Sequence, residues 1–144
     1  MSYWDTSALL KHYTPESDSL AFEALGRALA PIHTARLTFY ELHTALRRRA
    51  AEGIIAAGET AACFQKFNDH IARGIITINE ESASVRDEFA DMLNDCFSAT
   101  PIVYVRTADA IHIATALAVG EQDFITADAR QKKAAEVCGL TVHP

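Results

Sequence analysis

Short β-type segments alternate with longer segments of helical periodicity along the chain. Each β-type segment is rich in residues that favour strands, is too brief for a helix and is bounded by polar or turn-forming residues. Five of these segments are predicted to be strands: residues 3–4, 32–35, 75–78, 124–126 and 140–142. Strands that alternate with helices favour a mainly parallel five-stranded sheet covered on both faces, in a three-layer α/β/α domain of the α/β class.

The intervening segments place apolar residues three or four positions apart, which predicts helices with one apolar face. These segments cover residues 7–13, 20–29, 42–49, 63–71, 85–96 and 129–137. Residues 110–119 are apolar almost all round, so we expect a helix buried on several sides and ended by Gly120. Residues 102–105 are ambiguous, because they could form a strand or an extended lead-in to that helix.

The length and composition predict one domain spanning residues 1–144. A chain of 144 residues with 49% hydrophobic and 22% charged residues is large enough to enclose a core without disulfides. Its longest apolar runs are too short to span a bilayer, and its first residues do not form a secretory signal. We therefore expect a cytoplasmic protein without a membrane partner, in which Cys63, Cys96 and Cys138 are reduced thiols.

Four acidic residues are predicted to gather at one end of the sheet. Asp5 and Asp128 each follow a predicted strand and open a helical segment. Asp109 stands at the start of the buried helix, close to Thr107, a suitable N-cap, and Glu41 falls in the first turn of another helix. Ligands of parallel α/β sheets gather beyond the carboxyl ends of the strands, where these acids would lie.

Each acid taken singly could merely cap a helix or interact with its dipole, and residues 38–41 match a capping box. Taken together, several carboxylates at one sheet end would repel one another without a counter-ion. Mg²⁺ or Mn²⁺ prefers oxygen ligands and leaves positions free for a substrate phosphate. Such a site suits phosphodiester hydrolysis, because the metal activates a water molecule and stabilises developing charge.

Four segments carry a resemblance that spans nearly the whole chain. They are the seven residues that begin at Asp5, Glu41 with the Ala-Leu-Arg run of residues 45–47, the six residues that begin at Asp109, and residues 126–128. Their order and spacing resemble those of the PIN-domain nucleases, especially the toxins of VapBC-type toxin–antitoxin pairs. The end of the chain, residues 139–144, also resembles that family's closing strand. Two features depart from the pattern of that family. Trp4 stands in the first strand where small aliphatic residues are more usual, and residues 102–105 are unusually rich in β-forming side chains.

The resemblance implies a PIN-like fold and a metal-dependent endoribonuclease that acts as a toxin. It implies that Asp5, Glu41, Asp109 and Asp128 bind Mg²⁺ or Mn²⁺ and carry catalysis, with Thr126 and either Thr6 or Ser7 supporting them. The substrate would be RNA, and a cognate antitoxin would hold the enzyme inactive. We also expect a homodimer.

Several other polar residues are candidates for a functional role. His112 could be a ligand or a proton shuttle, but its apolar neighbours favour a packed structural histidine, and His43 is interpreted as incidental. Arg47, Arg48 and Arg49 could guide an RNA backbone or could simply form a solvated helix face, and both interpretations stay open. Lys132 and Lys133 are assigned to the surface. Asp123 precedes its strand and should lie at the wrong end of the sheet.

Other function classes fit the sequence less well. The net charge of −6 disfavours phosphate binding, although two bound divalent cations would reduce it to about −2. The glycines form neither a dinucleotide-binding motif nor a P-loop. A phosphatase or phosphotransferase could use Asp5 as its nucleophile, but a second Asp at position 7 is lacking. A signalling domain that binds a metal without chemistry is the non-enzymatic alternative.

Overall fold

A computed structural model describes all 144 residues, Met1–Pro144. It contains five strands and seven helices in a nearly regular alternation. In chain order these are β1 (Ser2–Trp4), α1 (Thr6–Leu10), α2 (Ser19–Ala28), β2 (Ile32–Ala35), α3 (Thr38–Ala51), α4 (Glu59–Ala72), β3 (Ile76–Asn79), α5 (Ala83–Ser98), α6 (Thr107–Ala118), β4 (Asp123–Ile125), α7 (Ala129–Val137) and β5 (Thr141–His143).

The five strands form one sheet in the order β3-β2-β1-β4-β5. Every neighbouring pair is parallel, so the prediction of a mainly parallel sheet is confirmed and the sheet is parallel throughout. β3 and β5 each lie one residue further along the chain than their apolar runs indicated, whereas β4 begins and ends one residue earlier. β1 is the central strand although it is only three residues long.

Residues 102–106 form no strand and lead in an extended conformation into α6. The backbone N–H of Val103 donates to the carbonyl of Cys96 at the end of α5, and the Val103 side chain is buried. Ile102 and Tyr104 on either side of it are exposed. Of the two alternatives for this segment, the lead-in is therefore the one observed.

Two apolar clusters lie on the two faces of the sheet, which confirms the three-layer arrangement. Successive side chains of a strand point to opposite faces, and β1 accordingly contributes Tyr3 to one cluster and Trp4 to the other. The Tyr3 cluster contains buried residues of α5, α6 and α7, whereas the Trp4 cluster contains those of α1, α3 and α4. Trp4 is fully buried, and its indole N–H donates to the hydroxyl of Ser2 at 2.9 Å.

α6 is the most extensively buried of the longer helices. Seven of its twelve residues are buried, and it packs against both α5 and β2. This confirms the expectation from its apolar composition, and it gives Asp109 and His112, near its first turns, a firmly packed support. No helix in the structure is both long and apolar enough to cross a membrane.

Candidate active site

A cleft of about 510 Å³ opens at the carboxyl ends of the central strands and contains all four predicted carboxylates. Asp5 follows β1, Glu41 lies in α3, Asp109 lies in α6 and Asp128 precedes α7. These residues are up to 123 positions apart in the chain, yet they line one cavity. Other polar and charged residues that line it are Thr6, Ser7, Tyr40, Thr44, Arg48, Arg49, Arg106, His112 and Gln131.

Asp5 is buried at the floor of this cleft, with 2% of its surface exposed. It is the N-cap of α1, because Oδ1 accepts the backbone N–H of Ala8 at 2.8 Å. Hydroxyl groups of Ser7 and Thr126 lie 2.8 Å from Oδ2. Burial nevertheless raises the pKa of Asp5, and these hydrogen bonds together with the charge of His112 only partly oppose the effect. Asp5 is thus both a helix cap and a carboxylate whose charged form is disfavoured by burial.

Glu41 does not form the capping box that residues 38–41 suggested. Thr38 is already inside α3, and its hydroxyl lies 2.6 Å from that of Thr34 instead of capping the helix. Glu41 Oε2 accepts from the Thr6 hydroxyl and lies 2.7 Å from His112 Nε2. Although burial by itself raises the pKa of Glu41, the His112 contact, the Thr6 hydroxyl and the charge of Arg106 hold it below its ordinary value.

His112 connects Glu41 to the centre of the sheet. Its Nδ1 lies 2.8 Å from the hydroxyl of Tyr3 in β1. A carboxylate can only accept, so the nitrogen that faces Glu41, Nε2, must carry hydrogen, and in the neutral ring Nδ1 accepts from Tyr3. Burial raises the pKa of Tyr3 well above its usual value and keeps this hydroxyl protonated. His112 is buried, as its apolar neighbours indicated, but it also lines the cleft and orients Glu41.

Asp109 and Asp128 share a single cation, Arg106. The guanidinium Nε and Nη2 lie 2.7 and 3.1 Å from the two oxygens of Asp109, and Nη2 is also 2.8 Å from Asp128 Oδ2. Asp128 in addition caps α7 by accepting the backbone N–H of Arg130 at 2.8 Å. Burial by itself raises the pKa of Asp128. The backbone N–H groups of Arg130 and Gln131 and the charges of Arg106 and Arg130 outweigh this effect, so the pKa lies below its ordinary value.

Three supporting residues were predicted and three others were missed. Thr6 and Ser7 both line the cleft, while Thr126 is fully buried beneath it. The missed residues are Tyr3, Arg106 and Gln131. Gln131 is buried, and its amide lies 3.4 Å from the carbonyl of Asp109 and 3.3 Å from the Thr126 hydroxyl. Only Arg106 left a signal in the sequence, since a cation three residues before an acid at a helix start can reach it within one turn.

The basic residues of α3 separate into two groups. Arg48 and Arg49 line the cleft, whereas Arg47 lines a different cavity beside His43 and Phe64. Arg49 is bonded to Glu16 at 3.1 Å and to Glu52 at 3.1 Å.

The residues that the sequence pattern placed outside the active site do lie outside the cleft. Asp123 begins β4 and bonds to His143 at 2.8 Å. Lys132 donates to the carbonyl of Pro144 at 2.7 Å. His43 stacks on Phe64 with ring centroids 3.5 Å apart.

The donor chemistry of the cleft suits a hard divalent cation. Its carboxylate oxygens are the ligands that Mg²⁺ and Mn²⁺ prefer, and a bound cation would offset the cost of burying the charged form of Asp5, whose pKa burial raises. As the side chains stand, no three His, Cys, Asp or Glu residues are arranged to coordinate a metal together. Arg106 explains part of this, because it already holds Asp109 and Asp128.

Comparison with known proteins identifies similar chains over the full length. The sequence profile described as "PIN domain" matches residues 2–137. The chain is 34% identical to Ribonuclease VapC35 of Mycobacterium tuberculosis, an alignment that covers 99% of this chain and 95% of the relative. Ribonuclease VapC49 of the same organism is 29% identical over 99% of this chain and 94% of its own.

Solved structures share the fold at low sequence identity. FitAcB from Neisseria gonorrhoeae superposes with a TM-score of 0.73 at 16% identity, covering 100% of this chain and 97% of the other. VapBC2 from Rickettsia felis, solved with a DNA fragment of its promoter, has a TM-score of 0.66 at 14% identity and covers 99% and 98% of the two chains. The M. tuberculosis toxin VapC20, described as cleaving the sarcin–ricin loop, has a TM-score of 0.67 at 16% identity and covers 93% and 95%.

Proposed function

Because this chain belongs to the PIN-domain family, we propose that it is a metal-dependent endoribonuclease, with Asp5, Glu41, Asp109 and Asp128 as its catalytic carboxylates. The observation that carries this proposal is the convergence of four acids, from four separate elements, in one cleft at the carboxyl ends of parallel strands. The relatives named ribonucleases, similar over nearly their whole length, support the reaction class. Residues 1–144 act in this proposal as one PIN-like domain.

The four carboxylates would hold Mg²⁺ or Mn²⁺ with different amounts of rearrangement. When bound, the metal lowers the pKa of an attacking water and stabilises charge on the phosphate. Asp5 is already fixed, since Ser7, Thr126 and the N–H of Ala8 hold its oxygens. Asp109 and Asp128 become free to bind only when Arg106 moves away. Arg106 can do so at low cost, because its side chain is 57% exposed and exposed ion pairs are weak.

The surrounding residues position the acids and hold protons. His112 and Thr6 fix the orientation of Glu41, and Tyr3 in turn fixes the ring of His112. This chain of contacts keeps Glu41 ionised and engages its Oε2, so the other oxygen would be free to hold a metal. The Ser7 hydroxyl also accepts the N–H of Ala127 at 2.9 Å, which joins the start of α1 to the loop that bears Asp128.

The biological role in this proposal is that of a toxin. The similar structures include the assemblies VapBC2 and FitAcB, and the relatives are VapC ribonucleases. We infer from this likeness a cognate antitoxin partner that blocks the cleft, a homodimeric enzyme, an RNA substrate and action in the cytoplasm. The relatives named ribonucleases favour phosphodiester hydrolysis over the alternative in which Asp5 is a phosphoryl-accepting nucleophile.

RNA cleavage by the purified protein tests the proposal directly. Cleavage of single-stranded RNA is expected with Mg²⁺ or Mn²⁺ and should stop when EDTA removes the metal. Asp109→Asn should reduce the rate by about 100-fold or more, because a metal ligand loses its charge. Asp123→Asn is the matched control, since Asp123 is an aspartate outside the cleft. Equal cleavage by the two variants, or cleavage that persists in EDTA, would show that the cleft is not the nuclease site.

A further inference from the structure

One exposed face of α3 runs from the carboxylates along the cleft wall. Tyr40, Thr44 and Arg48 are four residues apart, so they lie one above another on the helix surface. All three are exposed, and all three line the cleft that contains Glu41 of the same helix. The opposite side of α3 is anchored in the core by Leu42 and Leu46, which are buried. The face is therefore a fixed, accessible wall of the candidate active site.

Arg48 supplies the only cleft cation without a carboxylate partner. Three basic residues line the cleft, and two of them are neutralised: Arg106 by Asp109 and Asp128, and Arg49 by Glu16 and Glu52. Arg48 makes neither an ion pair nor a side-chain hydrogen bond. In a cleft with four acids, a polyanionic substrate needs a cation at some distance from the carboxylates, and Arg48 lies about two helical turns beyond Glu41.

Tyr40 supplies an aromatic surface at the other end of the same face. Its side chain is 65% exposed, which is unusual for a large aromatic residue that makes no ring contact within the fold. Exposed aromatic rings stack on the bases of single-stranded nucleic acids. Between Tyr40 and Arg48, the Thr44 hydroxyl donates to the Tyr40 carbonyl at 3.1 Å and presents its oxygen to the cleft.

We propose that Tyr40, Thr44 and Arg48 form the binding track for a single RNA strand, which Tyr40 engages through a base and Arg48 through a phosphate. The eight residue-to-residue steps from Tyr40 to Arg48 span about 12 Å of helix, enough for roughly three stacked nucleotides at 3.4 Å each. This inference rests on the proposed ribonuclease function, and it assigns the substrate path to the Arg48 side of α3. Arg47 lines a separate cavity beside His43 and Phe64 and takes no part.

Binding measured without cleavage tests the track. Fluorescence anisotropy of a labelled, mixed-sequence, single-stranded oligoribonucleotide is followed with the cleavage-silenced Asp5→Asn protein in Mg²⁺, over a series of salt concentrations. Adding Arg48→Gln should weaken binding about fivefold and reduce the slope of log K against log salt by about 0.7. Adding Tyr40→Ala should weaken binding about fivefold or more without changing the slope, whereas Tyr40→Phe should retain binding.

Two matched substitutions show whether these losses are specific. Arg47→Gln removes the same charge from the same helix outside the cleft, and Tyr104→Ala removes a tyrosine that is 75% exposed and also lies outside it. Both should leave the affinity and the salt slope unchanged. Equal losses for Arg47→Gln and Arg48→Gln, or no loss with Tyr40→Ala, overturn the track while RNA binding and cleavage still stand. A protein that neither binds nor cleaves RNA overturns the proposed function and the track with it.

Discussion

Replacing Arg106 by glutamine should make the protein bind divalent metal more tightly. The guanidinium bonds to both oxygens of Asp109 and to one of Asp128, so a metal must displace it from two carboxylates. Glutamine lacks the charge and the forked geometry that engage both acids. The substitution therefore removes a competitor for the metal while leaving all four carboxylates in place.

The size of the effect follows from the exposure of the ion pairs. Arg106 has 57% of its side chain exposed, while Asp109 and Asp128 have 13% and 26% exposed. Solvent screening limits the free energy of each such ion pair to about 0.5–1 kcal/mol. The two pairs together therefore oppose metal binding by about 1–2 kcal/mol. This corresponds to an increase in metal affinity of roughly 5–30-fold. The metal-free variant should also be slightly less stable, because Asp109 and Asp128 lose their shared counter-ion.

Isothermal titration of Mn²⁺ into the metal-free protein measures this change, and the rise in melting temperature on adding Mn²⁺ provides an independent check. Arg130→Gln is the control, because Arg130 lies near Asp128 and lowers its pKa by charge but makes no side-chain bond to it. A general electrostatic effect would raise Mn²⁺ affinity equally in both variants. An unchanged or weaker affinity in Arg106→Gln would refute the competition and would mean that Arg106 positions the acids for the metal.

Two further predictions concern stability. Burial raises the pKa of Asp5, so the free energy of unfolding falls as pH rises from the ordinary carboxyl pKa through the raised one. Asp5→Asn should abolish cleavage, remove this pH dependence and raise the metal-free melting temperature by about 3 °C at neutral pH, as followed by circular dichroism. Gly26→Ala should destabilise the fold by about 1–3 kcal/mol in urea titrations, because a Cβ there lies 2.9 Å from the ring of the half-buried His12. Gly58→Ala, whose Cβ meets nothing within 4 Å, should not destabilise it.

The periodicity of the sequence predicted the architecture, but local patterns could not set every boundary. The alternation of short strands and helices was sufficient for a three-layer fold with five strands. Residues 102–105 have β-forming side chains and yet form no strand. Strand formation needs a partner with a free edge, and this segment instead continues from α5 directly into α6. Such pairing depends on residues far away in the chain, so local propensity does not reveal it.

In the site, too, local sequence patterns predicted the positions of residues but not the contacts between residues that are far apart in the chain. Asp5 and Asp128 could be placed in advance, because each follows a strand and opens a helix. Glu41 was also expected in the cluster, but its hydrogen-bond partner could not be predicted. Its motif indicated a cap on its own helix, whereas its partner is His112, 71 residues further on. Arg106 was missed because its function depends on two acids from different helices, and only the folded chain brings them within reach of one guanidinium.

The position of β1 in the sheet has a consequence for synthesis of the protein. The second residue of the chain already belongs to the central strand, but β4, one of its two neighbours, begins at residue 123. In a nascent chain β1, β2 and β3 can pair early, whereas the other half of the sheet exists only after residue 123 and the residues that follow it have been made. Asp128 belongs to that later part. A chain whose synthesis has not passed α7 therefore has an incomplete cleft and cannot cut RNA with all four carboxylates.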